Sequence, residues 1–293
     1  MGEIYETLQK SSTIALNDIK LYYFKPPSIF FGIMLPLVLY FAFTLGRPCV
    51  TEAYRLTGVV AVSIFFGAST LEAVVLPIER KTGTFERLVS TPLSLEALIL
   101  GKMASGAIFG TILGVVMATI LILVGPAWRW AGLSDGLSLS PIPFLLTIII
   151  SAINSSSLGL LLSVRASDVA DAMMPLNFLR FVMIFLSGVF IPLEETFLFN
   201  PSLTFLAYLL PLTYSVEALR QTTYGPLDMQ RLLVDFTVLI LSSTILTLTA
   251  IKLLKCTLRS RPRNRFAIPS WRRLDYGNND YSQSEVGKSC RKK

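Results

Sequence analysis

The chain has 293 residues, of which 53% are hydrophobic and only 15% are charged, and its formal net charge is +7. Soluble domains are about 25% charged, so the composition excludes an ordinary soluble protein. The chain has no histidine and only three cysteines, which excludes histidine-based triads, most zinc sites and a disulfide framework. We predict no metal site and no cofactor bound by this chain itself.

Residues 1–28 precede the first apolar stretch and predict an amphipathic helix that lies at the membrane interface. Apolar residues such as Ile4 and Leu8 are mixed with charged ones such as Lys10, and Pro26 ends the segment. The alternative interpretation is a frayed polar tail.

Six long apolar stretches predict the fold class, an all-α integral membrane protein with six transmembrane helices. A helix of about 20 apolar residues crosses the roughly 30 Å hydrocarbon core, and a backbone in lipid must satisfy its own hydrogen bonds. The stretches are Ile29–Leu45, Leu56–Leu76, Ala104–Val124, Ile142–Val164, Leu176–Ile191 and Leu232–Leu254. They define a predicted transmembrane domain over residues 29–254.

Between the second and third stretches, residues 77–92 predict a short helix outside the membrane. Thr84 can cap a helix that begins at Phe85, Glu86 suits its first turn, and Pro92 ends it. Its apolar face is formed by Phe85, Leu88 and Val89. Such a helix is suited to a groove on a partner, and the alternative is a helix that lies on lipid. Ser94 can then cap the helix that leads into the third stretch.

Several polar residues lie inside predicted spans. Glu72 and Arg180 each cost about 2.5–3.5 kcal/mol at mid-bilayer. An ion pair between them, separate snorkelling to the inner interface and contact with a substrate all remain open. Small polar residues of the fourth stretch, Ser151 and 154–157, favour helix packing over lining a substrate path.

Between the fifth and sixth stretches, residues 203–212 are apolar but too few to cross a bilayer. Pro201 and Pro211 bracket this segment, which predicts re-entrant or interfacial outer helices. After residue 254 the chain turns basic, which predicts a largely disordered cytosolic tail over residues 255–293. Binding to anionic membrane lipids and binding to a partner subunit both remain open for this tail, and we predict no nucleic-acid binding. Gly287-Lys288-Ser289 lacks the first glycine of a phosphate-binding loop, so we predict no nucleotide site.

Lysine and arginine are concentrated in the segments that would be inside if the N-terminus were cytosolic. This bias predicts a multipass protein of the cell (cytoplasmic) membrane with both termini in the cytosol.

Two separated motifs resemble those of type-2 ABC exporter permeases, including drug and multidrug exporters. Residues 79–92, followed by Gly101-Lys102, resemble the family pattern E-R-x-x-G-T-x-E-x-L-x-x-T-P…G-K. The second motif resembles the late signature of the family and comprises Ser187, Gly188, Pro192, Pro211, Tyr214 and Arg220.

The resemblance implies a transmembrane permease subunit that is not itself an enzyme. It would form the substrate pathway as a homo- or heterodimer, and a separate ATP-binding-cassette ATPase would bind ATP and Mg²⁺. The short loop helix would be the coupling helix seated in that ATPase. The coupling residues would be Glu79, Gly83, Thr84, Phe85, Glu86, Leu88, Thr91 and Pro92.

Two other functions are weighed against this one. A stand-alone ion-coupled transporter would need charges along a path near mid-membrane, for which only Glu72 and Arg180 qualify. A membrane enzyme would have to use the carboxylate pairs Asp168/Asp171 or Glu194/Glu195, which are more typical of solvated helix ends.

Overall fold

The computed structural model describes residue 18 and residues 33–42, 52–90, 94–129, 140–189, 201–223 and 228–260. Every regular element in these ranges is an α-helix. The helices are α1 (Ile33–Ala42), α2 (Glu52–Thr82), α3 (Thr84–Ser90), α4 (Leu95–Arg129), α5 (Pro141–Ser163), α6 (Val169–Leu186), α7 (Pro201–Tyr208), α8 (Pro211–Thr223) and α9 (Met229–Ser260). The chain divides into two compact units, Met1–Lys255 and Cys256–Lys293, and all contacts described below lie in the first.

Among the helices in the described ranges, five are long and apolar enough to cross a membrane: α2, α4, α5, α6 and α9. They correspond to five of the six predicted stretches and make this an all-helical multipass protein. The described α1 covers only part of the first stretch, so the count of six spans stays a prediction. The predicted N-terminal helix, apart from Asp18, and the tail beyond residue 260 lie outside the described residues.

Helix α2 is the centre of the bundle, because 83% of its most apolar 18-residue stretch is buried. A row of glycines on α4 lets the backbones of these two helices approach closely, as small residues do in membrane proteins. A Cβ atom on any of the three would lie 2.5–2.6 Å from a side-chain atom of α2. They are Gly106, Gly110 and Gly114, opposite Glu72, Ala68 and Ile64.

Helix α5 packs against α2, α4 and α9 through the small polar residues identified in the sequence. The Ser156 hydroxyl donates to the Met103 carbonyl of α4 at 2.8 Å, and Ser242 of α9 donates to Asn154 at 2.8 Å. Ser155, Ser156 and Ser157 are all buried within the single chain. These contacts support the packing interpretation of the fourth stretch.

Helices α6 and α2 begin or end at residues other than those of the predicted spans. Helix α6 begins at Val169 rather than Leu176 because Asp168 and Asp171 form a capping box there. It ends at Leu186, since the chain turns at Gly188, whose φ is +73°. Helix α2 continues through Pro77 to Thr82, so the predicted loop begins only at Gly83.

We expect Gly159→Ala to lower the free energy of unfolding by about 1–3 kcal/mol, the usual range for an overpacked core. A Cβ at this position would overlap the backbone carbonyl oxygen of Ser69 on α2, and backbone cannot rotate away as a side chain can. Denaturant unfolding in detergent micelles measures the effect. The control is Leu145→Phe on the exposed face of α5, and an equal loss in both variants would contradict the packing described for α5 and α2.

Candidate functional site

The candidate site is the α3 hairpin, which we define as the end of α2, all of α3 and the start of α4. Gly83 separates α2 from α3 and has a φ of +72°. A residue with a Cβ atom loses about 1–2 kcal/mol in this left-handed conformation, so glycine suits the turn. The predicted cap Thr84 is the first residue of α3 itself, and its hydroxyl lies 2.9 Å from that of Thr82.

Phe85 fixes α3 to the body of the protein. Its side chain is 2% exposed, and the guanidinium carbon of Arg80 lies 5.2 Å from its ring centre, within cation–π range. Its ring is therefore packed against its own chain, and its role in coupling to a partner stays a prediction. Leu88 and Val89 are half-buried.

The outward face of α3 is polar. Thr84, Arg87 and Ser90 are exposed, whereas Glu86 is half-buried. The predicted cap at the start of α4 is confirmed, because the Ala97 amide donates to the Ser94 hydroxyl at 3.2 Å. Thr91 and Pro92, between α3 and α4, lie outside the described residues.

A buried ion cluster joins the two arms of the hairpin. Lys102 of α4, fully buried, places its Nζ 2.7 Å from Glu79 Oε1 of α2 and 3.1 Å from Asp18 Oδ2. Burial raises the pKa of the Asp18 carboxyl above its ordinary value, although Lys102 opposes this rise. A buried charge is tolerated only when it is paired, so Lys102 holds the ends of α2 and α4 together.

A second lysine pair at the same end of the bundle is exposed. Lys81 Nζ lies 2.6 Å from Asp168 Oδ1, with side chains 56% and 47% exposed. Hydrogen bonds from Lys81 and from the Val169 amide hold the pKa of the Asp168 carboxyl below its ordinary value.

Glu72 and Arg180 each have partners of their own. Arg180 donates to the hydroxyls of Ser69 and Thr70 at 2.8 and 2.7 Å, and Glu72 accepts from Ser105 at 3.2 Å. Ser69 and Thr70 occupy the face of α2 that Arg180 meets. In the part of the chain that the structure describes, these contacts do not include an ion pair between Glu72 and Arg180, which the sequence left open as one of three roles.

The late signature residues meet at the opposite end of the bundle. The Gly188 carbonyl accepts from Arg220 of α8 at 2.5 Å and from the Tyr54 hydroxyl of α2 at 2.6 Å. The guanidinium carbon of Arg220 also lies 3.6 Å from the Tyr54 ring centre. Three helices are thereby joined at one carbonyl group.

The remaining signature residues shape the helices around this junction. The Ser187 hydroxyl donates to the Met183 carbonyl one turn earlier, and Pro211 is the first residue of α8. Tyr214 donates to the Tyr208 carbonyl of α7 at 2.8 Å. Pro192 lies outside the described residues.

Sequence reasoning did not identify Asp18 and Tyr54 as site residues. Neither residue belongs to a motif, and the role of each depends on a partner far along the chain. Lys102 belongs to the Gly101-Lys102 end of the family pattern. Its place in that pattern is a signal that could have directed attention to its acidic partners.

We expect Lys102→Met to lower the free energy of unfolding by about 3–5 kcal/mol, because it leaves two buried carboxylates without their cation. The matched control is Lys81→Met, for which we expect little change, since exposed ion pairs contribute little. Denaturant unfolding in detergent micelles compares the two variants. Equal losses would contradict a structural role specific to the buried cluster.

Comparison with known proteins places this geometry in a family. The family model described as ABC-2 type transporter matches residues 11–224, a range that includes the α3 hairpin and the Gly188 junction. A comparison with curated proteins finds no match. Within the described residues, no group of three or more Asp, Glu or Cys side chains could hold a metal ion. The chain therefore belongs to the ABC-2 type transporter family, as a membrane permease component.

Proposed function

We propose that this chain is the permease subunit of an ATP-driven exporter, coupled through α3 to a separate ATP-binding-cassette ATPase. Permeases of this family work with such ATPases in general, and the ATPase would bind ATP and Mg²⁺. Two permease chains would form the substrate pathway, in the cytoplasmic membrane with both termini in the cytosol.

The observation that carries the proposal is how firmly α3 is attached to the rest of the chain. A helix of seven residues is too short to be stable by itself, yet here it is anchored by Phe85 and lies between two arms joined by the Lys102–Glu79 ion pair. A segment held in this way transmits a displacement to α2 and α4 instead of bending. Such stiffness is useful only if a moving partner contacts the helix.

The exposed side of α3 supports a protein partner over lipid. Thr84, Arg87 and Ser90 face outward, while the apolar Phe85 faces inward. A helix that lies on lipid would present its apolar side outward instead. We therefore assign the polar face of α3 to the ATPase.

The proposed dimer is supported by the family and by the apolar outer surface of the bundle. Only 28% of the most apolar window of α6 is buried, compared with 83% for α2. The apolar side chains that α6 exposes are available to a second permease chain or to lipid. They are Met174, Phe178, Phe181 and Phe185.

The ion-coupled alternative has less support. Its two candidate charges, Glu72 and Arg180, are 1% and 2% exposed and hydrogen-bond to hydroxyls within the bundle. That arrangement is typical of a packed interior. Transport that continues on an ion gradient without ATP would favour this alternative.

We expect the chain, purified from its native membranes in mild detergent, to carry an ATP-binding-cassette ATPase. Arg87→Glu reverses an exposed charge on α3 and should reduce the retained ATPase about ten-fold, equivalent to about 1.4 kcal/mol. Quantitative mass spectrometry of the purified complex measures the retained ATPase.

The matched control is Arg231→Glu, the same charge reversal at an exposed side chain in the first turn of α9, and it should retain the wild-type amount. Thermal unfolding should be unchanged in both variants, because neither side chain is buried. Full retention of the ATPase together with unchanged ATP-driven transport in Arg87→Glu would contradict the proposal.

A further inference from the structure

Arg80 contacts two segments besides its own helix. It lies near the end of α2, and its guanidinium carbon is 5.2 Å from the Phe85 ring centre of α3. Its Nη1 donates to the Ala166 carbonyl at 2.6 Å, and its Nη2 donates to the Val164 carbonyl at 2.5 Å. One guanidinium group therefore links α3 to the connection between α5 and α6.

The Val164 carbonyl lies at the C-terminal end of α5, and the Ala166 carbonyl lies two residues beyond it. Val164 is the cap residue of that helix, where carbonyl groups have no partner within the helix and a positive charge is favoured. The planar guanidinium group presents its donors in a fixed fork, so it can engage both carbonyls at once. A lysine ammonium group at this position would keep the charge and lose the fork.

The connection continues directly into α6. Asp168 accepts from the Val169 amide at 2.6 Å and caps the helix. Residues 164–168 are thus held by Arg80 at one side and fixed to the start of α6 at the other. Such a short connection leaves α6 little freedom to move independently of α3.

Helix α6 is also suited to move, because it is weakly packed within the chain. Only 28% of its most apolar window is buried, against 50% for α4 and 61% for α5. Elements with few buried contacts move at the lowest free-energy cost. Helix α9 is even less buried, at 22%, but the contact described for it at this end is the exposed Lys255–Glu96 ion pair.

We propose that Arg80 is a positioning residue that passes displacements of α3 through residues 164–168 to α6. The source of the displacement, an ATPase that contacts α3, rests on the proposed function. The mechanical link between α3 and residues 164–168 is a property of this chain and can be tested without the partner.

The first experiment measures the link in the isolated chain. Spin labels are attached to Ser90→Cys on α3 and Arg165→Cys in the connection, both exposed, after the three native cysteines have been replaced by serine. Double electron–electron resonance in liposomes should give a single narrow distance peak. Arg80→Gln and Arg80→Lys should both lose that peak, because neither side chain presents the fixed fork of donors with which arginine holds the two carbonyls.

The matched control is Lys81→Gln, which breaks the exposed pair with Asp168 and should keep the narrow peak. If Arg80→Gln does not fold, Arg80→Lys retains the charge and still tests the fork. A narrow peak in the Arg80 variants would overturn the proposal. Equal broadening in Lys81→Gln would also overturn it, since the link would then not depend on the guanidinium group.

The second experiment uses the complex with its co-purified ATPase. A spin label at Phe178→Cys on the exposed face of α6 should change its spectrum when ATP is added. In Arg80→Lys the ATPase should remain bound and hydrolyse ATP, while the label no longer responds. A response equal to that of the wild type would overturn the proposal.

The two experiments separate failure of the link from failure of the proposed function. If no ATPase accompanies the wild-type chain, the proposed function fails, and the distance peak between residues 90 and 165 still decides whether Arg80 joins α3 to the connection.

Discussion

The ion pair between Lys102 and Glu79 is the contact on which the arrangement of the α3 hairpin depends. It joins the end of α2 to the start of α4 at 2.7 Å in a site that water does not reach. Separating the two helices would leave both charges buried and unpaired, which costs far more than the loss of an exposed pair. With these arms fixed, Phe85 stays beneath Arg80, and α3 keeps one face toward the bundle and the other toward solvent.

Close helix packing provides the rigid body to which this hairpin is attached. Lipid is as apolar as leucine, so apolar burial does not drive helices together in a membrane, and tight contacts and hydrogen bonds must do so. The glycine row of α4 supplies tight contacts with α2, and Ser156 of α5 supplies a hydrogen bond to α4. Large apolar side chains also cover the outside of the bundle, as on α6, where a soluble protein would present polar residues.

The sequence predicted the features that depend on local pattern. Hydrophobic length identified five helices that the structure contains, and the Ser94 cap followed from residue type and position. Features that depend on tertiary partners were not predictable in the same way. Arg180 meets hydroxyls of α2 instead of Glu72, and Phe85 is covered by its own chain. Helix α6 begins at Val169 because of the capping box at Asp168. The apolar stretch, which begins at Leu176, does not reveal this earlier start.

The family resemblance placed Gly188 and Arg220 in one motif, which hydrophobic periodicity and residue spacing alone did not indicate. The structure brings them to a single carbonyl and adds Tyr54, which no motif indicated.

The central claim, that α3 is held by a separate nucleotide-driven motor, is tested most directly by photo-crosslinking from Ser90 in native membranes, with mass spectrometry of the products. The account predicts that an ATP-binding-cassette ATPase is the major crosslinked protein. Crosslinks to phospholipid alone would contradict it.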